Sequence, residues 1–289
     1  MSSEQNSIVI KHMKKTVERF YSIEDERIGM KHFRYVMDDY FAADESIKCC
    51  GEVVPVSADG IYSLWVTAEG SDPKKRILYL HGGGYVIGSI RGYLPLASHL
   101  SKATGASVLL IDYRLSPEDQ FPAAVEDAKI AFKWMLKNGP DGASECSKSF
   151  ISGDSAGGGL AVSTTLALKD DGNKLPNAIM PISPWVEMDP VSKSYEDNKD
   201  IDPFVSLDGI AWFSSVYVGS EEDRRNPYAS PLYGSFKEFP PMLIQVGTRE
   251  VLLDDSKKLS DKAKEEGCNV EIQIYDDMIH VFQGFAPFL

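Results

Sequence analysis

The sequence is short of three things, and each shortage excludes a class of function. Cysteine is scarce: Cys49, Cys50, Cys146 and Cys268 form no CxxC pair and no cysteine–histidine spacing suited to a metal. Free thiols are therefore expected, not a disulfide framework or a zinc centre. Positive charge is also short, with 30 Lys and Arg against 43 Asp and Glu and a formal charge of -13. Nucleic acid is thus an unsuitable partner, since binding it takes clustered cations that displace phosphate counterions, and an anionic membrane surface is disfavoured for the same reason. Long apolar runs are missing too: nothing approaches the ~20 residues of a membrane span. The opening MSSEQNSIVIKHMKK has too short an apolar run for a signal-peptide core. These absences point to a soluble, cytoplasmic protein.

What is present suffices for a large core, since 289 residues, 43% of them hydrophobic, suit one α/β domain with a small appended cap. Ile8, Val9, Met13, Val17 and Phe20 follow a helical spacing, as do Phe33, Val36, Met37, Tyr40 and Phe41, so residues 1–45 are predicted to be an N-terminal helical cap segment. From Lys48 the runs VVPVS and IYSLWVTA, separated by Ala58-Asp59-Gly60, predict a hairpin. RILYL (76–80), SVLLIDY (107–113), AIMPIS (178–183), PMLIQVG (241–247) and NVEIQIY (269–275) then read as strands, with helical stretches between them, the last from about Asp255 to Glu266. Strands without alternation, each followed by a helix, predict a mostly parallel sheet covered on both faces. Residues 46–289 form this main domain, and an irregular stretch at 186–239, carrying Phe204, Trp212, Phe213 and Tyr217, is expected to be a second cap piece.

One short segment carries chemistry. FISGDSAGGG (150–159) places a serine between glycines after an apolar run. A Walker phosphate loop would need a lysine after the glycines, and none follows. A chymotrypsin-like protease would carry its histidine and aspartate before the serine in an all-β chain, whereas here a βα alternation surrounds it. Gly153-Asp154-Ser155-Ala156-Gly157, between a strand and a helix, fits the nucleophile turn of an α/β hydrolase, where small residues on both sides let the chain pass itself. A second motif, His81-Gly82-Gly83-Gly84, directly follows RILYL and is of the type that supplies oxyanion-hole donors. The backbone N–H groups of Gly83, Gly84 and Ala156 are the expected donors.

HGGGYVIGS, DYRLSPEDQFPAAVED, GDSAGGG, SPW and NPYASPL, in this order, resemble the bacterial hormone-sensitive lipase-like esterases, a branch of the α/β-hydrolase superfamily, from about Arg76 to Phe285. The resemblance implies an α/β-hydrolase fold with an eight-stranded, mostly parallel sheet, helices on both faces, a helical cap and no cofactor. It implies a serine carboxylesterase acting on small-molecule esters. Amide hydrolysis on the same groups is the alternative within enzymes, and a triad-less small-molecule receptor the alternative outside them. Tyr85 and Trp185, which lie in these motifs, join Phe204 and Trp212 of the insert as candidate substrate contacts. Family members also continue into a closing helix, whereas this sequence ends nine residues after His280.

In this fold the acid and the histidine follow the serine, and His280, five residues past Tyr275, is the candidate base. Its presence disfavours the receptor reading. GTREVLLDDS offers Glu250, Asp254 and Asp255 as acids. Glu250 stands three residues beyond its strand, at the sheet edge, while Asp254 and Asp255 fall where a helix begins and an N-cap is the ordinary role. The family usually has aspartate in a D-x-L-x-D pattern, and E-V-L-L-D puts glutamate at its first place. Glu250 is the favoured acid and Asp254 the alternative. Asp112, Arg114 and Glu118 read as a buried ion-pair network, and Asp154 as a turn-stabilising acceptor. The last strand, with Val270, Ile272 and Ile274 alternating, offers an unpaired edge through which a homodimer could close.

Overall fold

A computed structural model describes residues 3–22 and 29–289, and its centre is one sheet built from eight strands. β1 (Gly51–Ala58) and β2 (Ile61–Ala68) form the predicted antiparallel hairpin. Its turn needs left-handed backbone at both central positions, which Asp59 (φ 50°) and Gly60 (φ 98°) adopt. β3 (Asp72–Leu80), β4 (Ala106–Ile111), β7 (Lys148–Asp154), β8 (Ala178–Ile182), β9 (Met242–Gly247) and β10 (Val270–Tyr275) complete the order β1-β2-β4-β3-β7-β8-β9-β10. A two-residue ladder of β5 (Asn138–Gly139) and β6 (Gly142–Ala143) stands apart. From β4 onward every neighbouring pair in the large sheet is parallel. β4 is buried at all six positions, as a strand covered on both faces must be.

Helices α3 (Leu94–Thr104), α4 (Ala123–Met135), α5 (Ala156–Asp170) and α8 (Leu253–Glu265) supply the cover. α5 is buried at every position from Ala156 to Leu168, which its run of Gly, Ala, Leu and Val allows. Gly159 lets it touch the loop after β8, because a Cβ there would come within 2.0 Å of the Trp185 carbonyl oxygen. α8 begins two residues earlier than expected: Leu252 is its N-cap, without a side-chain cap bond, so neither Asp254 nor Asp255 caps it.

The N-terminal segment folds into α1 (Glu4–Tyr21) and α2 (Gly29–Asp38). Val9, Met13 and Phe20 of α1 and Val36 and Met37 of α2 are buried, in one apolar cluster with Tyr40, Phe41, Ile279 and Phe285. Between β8 and β9 the chain leaves the sheet to form the one-turn α6 (Ser194–Asp197) and α7 (Leu207–Tyr217). After His280 it makes a 3-10 turn, Phe282–Phe285, whose Phe285 ring packs 5.3 Å from Phe41 and 5.8 Å from Tyr40.

The DYRLSPE loop corrects one expectation. Its charges are not a buried network: Arg114, 43% exposed, pairs with Asp127 at 2.8 Å, and Glu118 pairs at 2.7 Å with Arg34 reaching over from α2. The chain leaves β4 at the surface here, so Arg114 and Glu118 stay in contact with water, although Asp127 is buried. Among the described residues no helix is long and apolar enough to cross a membrane.

Candidate active site

β7 ends at Asp154 and α5 begins at Ala156, so Ser155 must turn the chain by itself, and its backbone is held at φ 55°, ψ -122°. A non-glycine residue there is strained and persists only where its surroundings hold it. Both flanking glycines are sterically required: a Cβ on Gly153 would lie 2.3 Å from the Gly157 carbonyl oxygen, and one on Gly157 2.0 Å from that of Leu80. The Ser155 amide donates to the Ile182 carbonyl at 2.9 Å and its own carbonyl accepts from Trp185. The turn is thereby fixed to the end of β8 and the loop after it, and the hydroxyl is presented to a cavity.

The glycine loop after β3 is pinned at one end and open at the other. Gly82 donates its amide to the Tyr93 hydroxyl at 3.0 Å and to Asp154 at 3.1 Å. Asp154 also accepts from the hydroxyls of Tyr79 and Tyr93, as a turn-stabilising acceptor should. Burial pushes its carboxyl up to about 6 against the pull of these donors. His81 donates from Nδ1 to the Gly82 carbonyl at 2.7 Å and stacks on Tyr113 with centroids 4.3 Å apart. Burial pulls its imidazole down to about 4, so it is a neutral clamp on the loop. Gly83 (φ 116°) and Gly84 (φ 62°) then turn left-handed. Their amides, and that of Ala156 at the start of α5, find no acceptor among the described residues. Such donors can bind an oxyanion.

His280 follows the turn after β10, and its Nδ1 lies 2.8 Å from Glu250 Oε2. The other carboxylate oxygen of Glu250 accepts from the Ser183 hydroxyl at 2.8 Å and the Gly247 amide at 2.5 Å. Of the two acids left open by the sequence, Glu250 is therefore the one that meets the histidine. Asp254 instead accepts from the Ser194 amide at 2.9 Å and pairs with Lys257 at 3.3 Å. Burial depresses the His280 pKa, but the Glu250 hydrogen bond and the charges of Glu250, Asp202 and Asp154 outweigh it and leave the net shift upward. Burial raises the Glu250 carboxyl, opposed by the same imidazole. With Nδ1 held by a carboxylate, the ring presents Nε2 to the cavity and can take a proton there. Ser155 and His280 line the same cavity; no hydrogen bond joins them, and such bonds commonly tighten only around substrate.

That cavity measures about 320 Å³. Gly83, Gly84, Ser155, Trp185 and His280 form its floor, and Phe204, Ile210, Trp212 and Phe213 of the insert and Phe20, Met37 and Tyr40 of the N-terminal segment its walls. Trp212, 44% exposed, stands at the mouth. Gly84 is required by this roof, since a Cβ would come within 2.5 Å of the Phe213 ring. Tyr85 departs from expectation. It is fully buried, stacks on Tyr217 at 3.8 Å and does not line the cavity, because the left-handed turn at Tyr85 (φ 63°) sends its ring under the cap. Ser183 lies in the SPW motif but was given no role there, and Asn198, Asp202 and Tyr40 fall in none of the motifs. Among these last three, only the helical spacing that contains Tyr40 gave any signal. Among the described residues no group of three or more His, Cys, Asp or Glu is placed to hold a metal ion.

Residues 77–284 match a family model described as the alpha/beta hydrolase fold. An acetyl-hydrolase of Streptomyces hygroscopicus is 39% identical over 226 residues, 78% of this chain and 73% of that protein. An esterase of Acinetobacter venetianus is 29% identical over 234 residues, 81% of this chain and 76% of that one. The crystal structure of an esterase from the bacterial hormone-sensitive lipase family superposes with a TM-score of 0.91 at 35% identity, covering 100% of this chain and 93% of the other. With the serine turn, the glycine loop and the eight-stranded sheet already in place, these likenesses make the chain a member of the α/β-hydrolase-fold family, in its branch of bacterial hormone-sensitive lipase-like esterases.

Proposed function

We propose that this protein hydrolyses small carboxylic esters with short acyl chains through an acyl-enzyme on Ser155. His280 takes the Ser155 proton as Oγ attacks the ester carbonyl, and Glu250 keeps the imidazole in the tautomer that can accept it and stabilises the cation formed. The developing oxyanion is held by the amides of Gly83, Gly84 and Ala156, each worth roughly 3 kcal/mol in comparable sites. His280 then returns the proton to the leaving alcohol, and water repeats the attack. The observation that carries the reading is that Gly83, Gly84, Ser155 and His280 all border one cavity while Glu250 holds the far side of the ring.

Substrate size follows from the walls. At about 320 Å³ the cavity lies near the lower end of small-molecule pockets, and its lining is mostly aromatic and aliphatic. A short apolar acyl group fits that space. A cytoplasmic setting and a small-molecule partner belong to the same proposal, supported by four unpaired cysteines and the negative net charge. The test is a rate profile over p-nitrophenyl esters of increasing acyl length. Short chains should be fastest; preference for long-chain emulsified triglycerides, with activation at an oil surface, would contradict the reading.

A further inference from the structure

The cap does more than roof the cavity, because it is tied to the loop that carries Glu250. Asn198 donates to the Glu250 carbonyl at 2.7 Å and to that of Thr248 at 3.1 Å. Ser194 donates to the Val251 carbonyl at 2.5 Å. One residue closes this set of bonds with a charge. Asp202 accepts from the amides of Phe204 at 3.0 Å and Val205 at 2.9 Å with one oxygen, and from the Val251 amide at 3.0 Å with the other. Phe204 and Val205 line the cavity, and Val251 is the residue after Glu250.

We infer that Asp202 is a positioning residue of the reaction, joining the cap wall at Phe204–Val205 to the Glu250 loop and setting a second anion beside His280. A local turn needs only the first two of its hydrogen bonds, which an asparagine or serine could accept equally well. The third crosses to another element and requires an acceptor there. The anions acting on His280 come from three elements: Glu250 from the loop after β9, Asp202 from the cap and Asp154 from the end of β7. Tyr40, a phenol held neutral by burial, and Asp208 of α7 also line the cavity, and among the described residues no lysine or arginine does. Among the described residues that line the cavity, no lysine or arginine offsets the charge of Asp202, and it favours the imidazolium that forms during acyl transfer.

The assignment rests on His280 being the base, and the test separates the two. Asp202→Asn keeps the size and the local turn but removes the charge, and should move the acid limb of the kcat/KM profile for p-nitrophenyl butyrate to lower pH by roughly half a pH unit or more. Asp202→Glu, which restores the charge, should return the limb toward wild type. If the Asn variant fails to fold, Asp202→Ser removes the same charge and takes its place. A limb that stays at its wild-type position in the neutral variant, with the rate lowered equally at every pH, overturns the proposal and leaves Asp202 a turn residue. His280→Ala is the control: if it keeps its activity, the reading of the site fails, whereas an inactive control with an unmoved limb removes only Asp202.

Discussion

Glu250 Oε2 stands 2.8 Å from His280 Nδ1, and the second oxygen of the same carboxylate is held by Ser183 and Gly247. Both oxygens thus face donors, a setting that suits a carboxylate and penalises an amide. Glu250→Gln would turn its NH2 toward a donor on one side or the other and favour the wrong imidazole tautomer. The rate should fall by up to ~10⁴-fold, as in serine proteases with the equivalent change. Asp254→Asn should keep most of its activity, because its carboxylate serves Ser194 and Lys257 and not the ring. Steady-state rates near pH 8, with melting followed in parallel, check both.

The pH profile has a sign fixed by the same pair. Burial lowers the His280 pKa, but Glu250 and the neighbouring carboxylates outweigh it, so the imidazole becomes neutral only above the ordinary value of 6.5. A base must be neutral to act. The acid limb of kcat/KM should therefore have its midpoint above 6.5, and a midpoint well below it would show that the carboxylates do not govern the ring.

Much of this site was legible in the sequence because steric necessity writes motifs. Gly153, Gly157 and Gly84 are required by contacts that admit no side chain, so the serine turn and the glycine loop stood out as spelling. The strands were legible for a similar reason, since burial on both faces removes alternation. Glu250 was narrowed to a choice with Asp254, and its contact with His280 is what favours it. Asn198 and Asp202 left no trace, and Ser183 stood in the SPW motif without a role, because what these residues do depends on loops brought together from distant parts of the chain. Tyr85 misled for the opposite reason: it sits inside a motif, but the backbone turn beneath it sends the ring away from the cavity.

Phe213 of the roof stands against the glycine loop, its ring where any Cβ on Gly84 would go. Phe213→Ala should open the cavity and shift the preferred acyl chain to greater length, with short esters hydrolysed more slowly through weaker packing. Comparing acetate, butyrate and octanoate esters in wild type and variant checks this. An unchanged profile would assign the ring to the internal packing of the cap.

Among the described residues β10 is an edge strand, paired with β9 alone, and Ile274 on it is 44% exposed. We expect two copies to pair through this edge as a homodimer, because an open strand with apolar side chains invites a second strand. Light scattering at micromolar concentration should give twice the chain mass, and Ile274→Lys should return it to a monomer. A monomer in the unmodified protein contradicts the expectation.

The central claim is that Ser155 becomes acylated with the help of His280 and Glu250. Intact-mass measurement after rapid acid quench of the protein with p-nitrophenyl acetate tests it most directly. One acetyl group should appear within the first turnover, mapped to the peptide containing Ser155, and Ser155→Ala should show none while its circular dichroism stays unchanged. Acetylation elsewhere with Ser155 unmodified, or full turnover in Ser155→Ala, would contradict it.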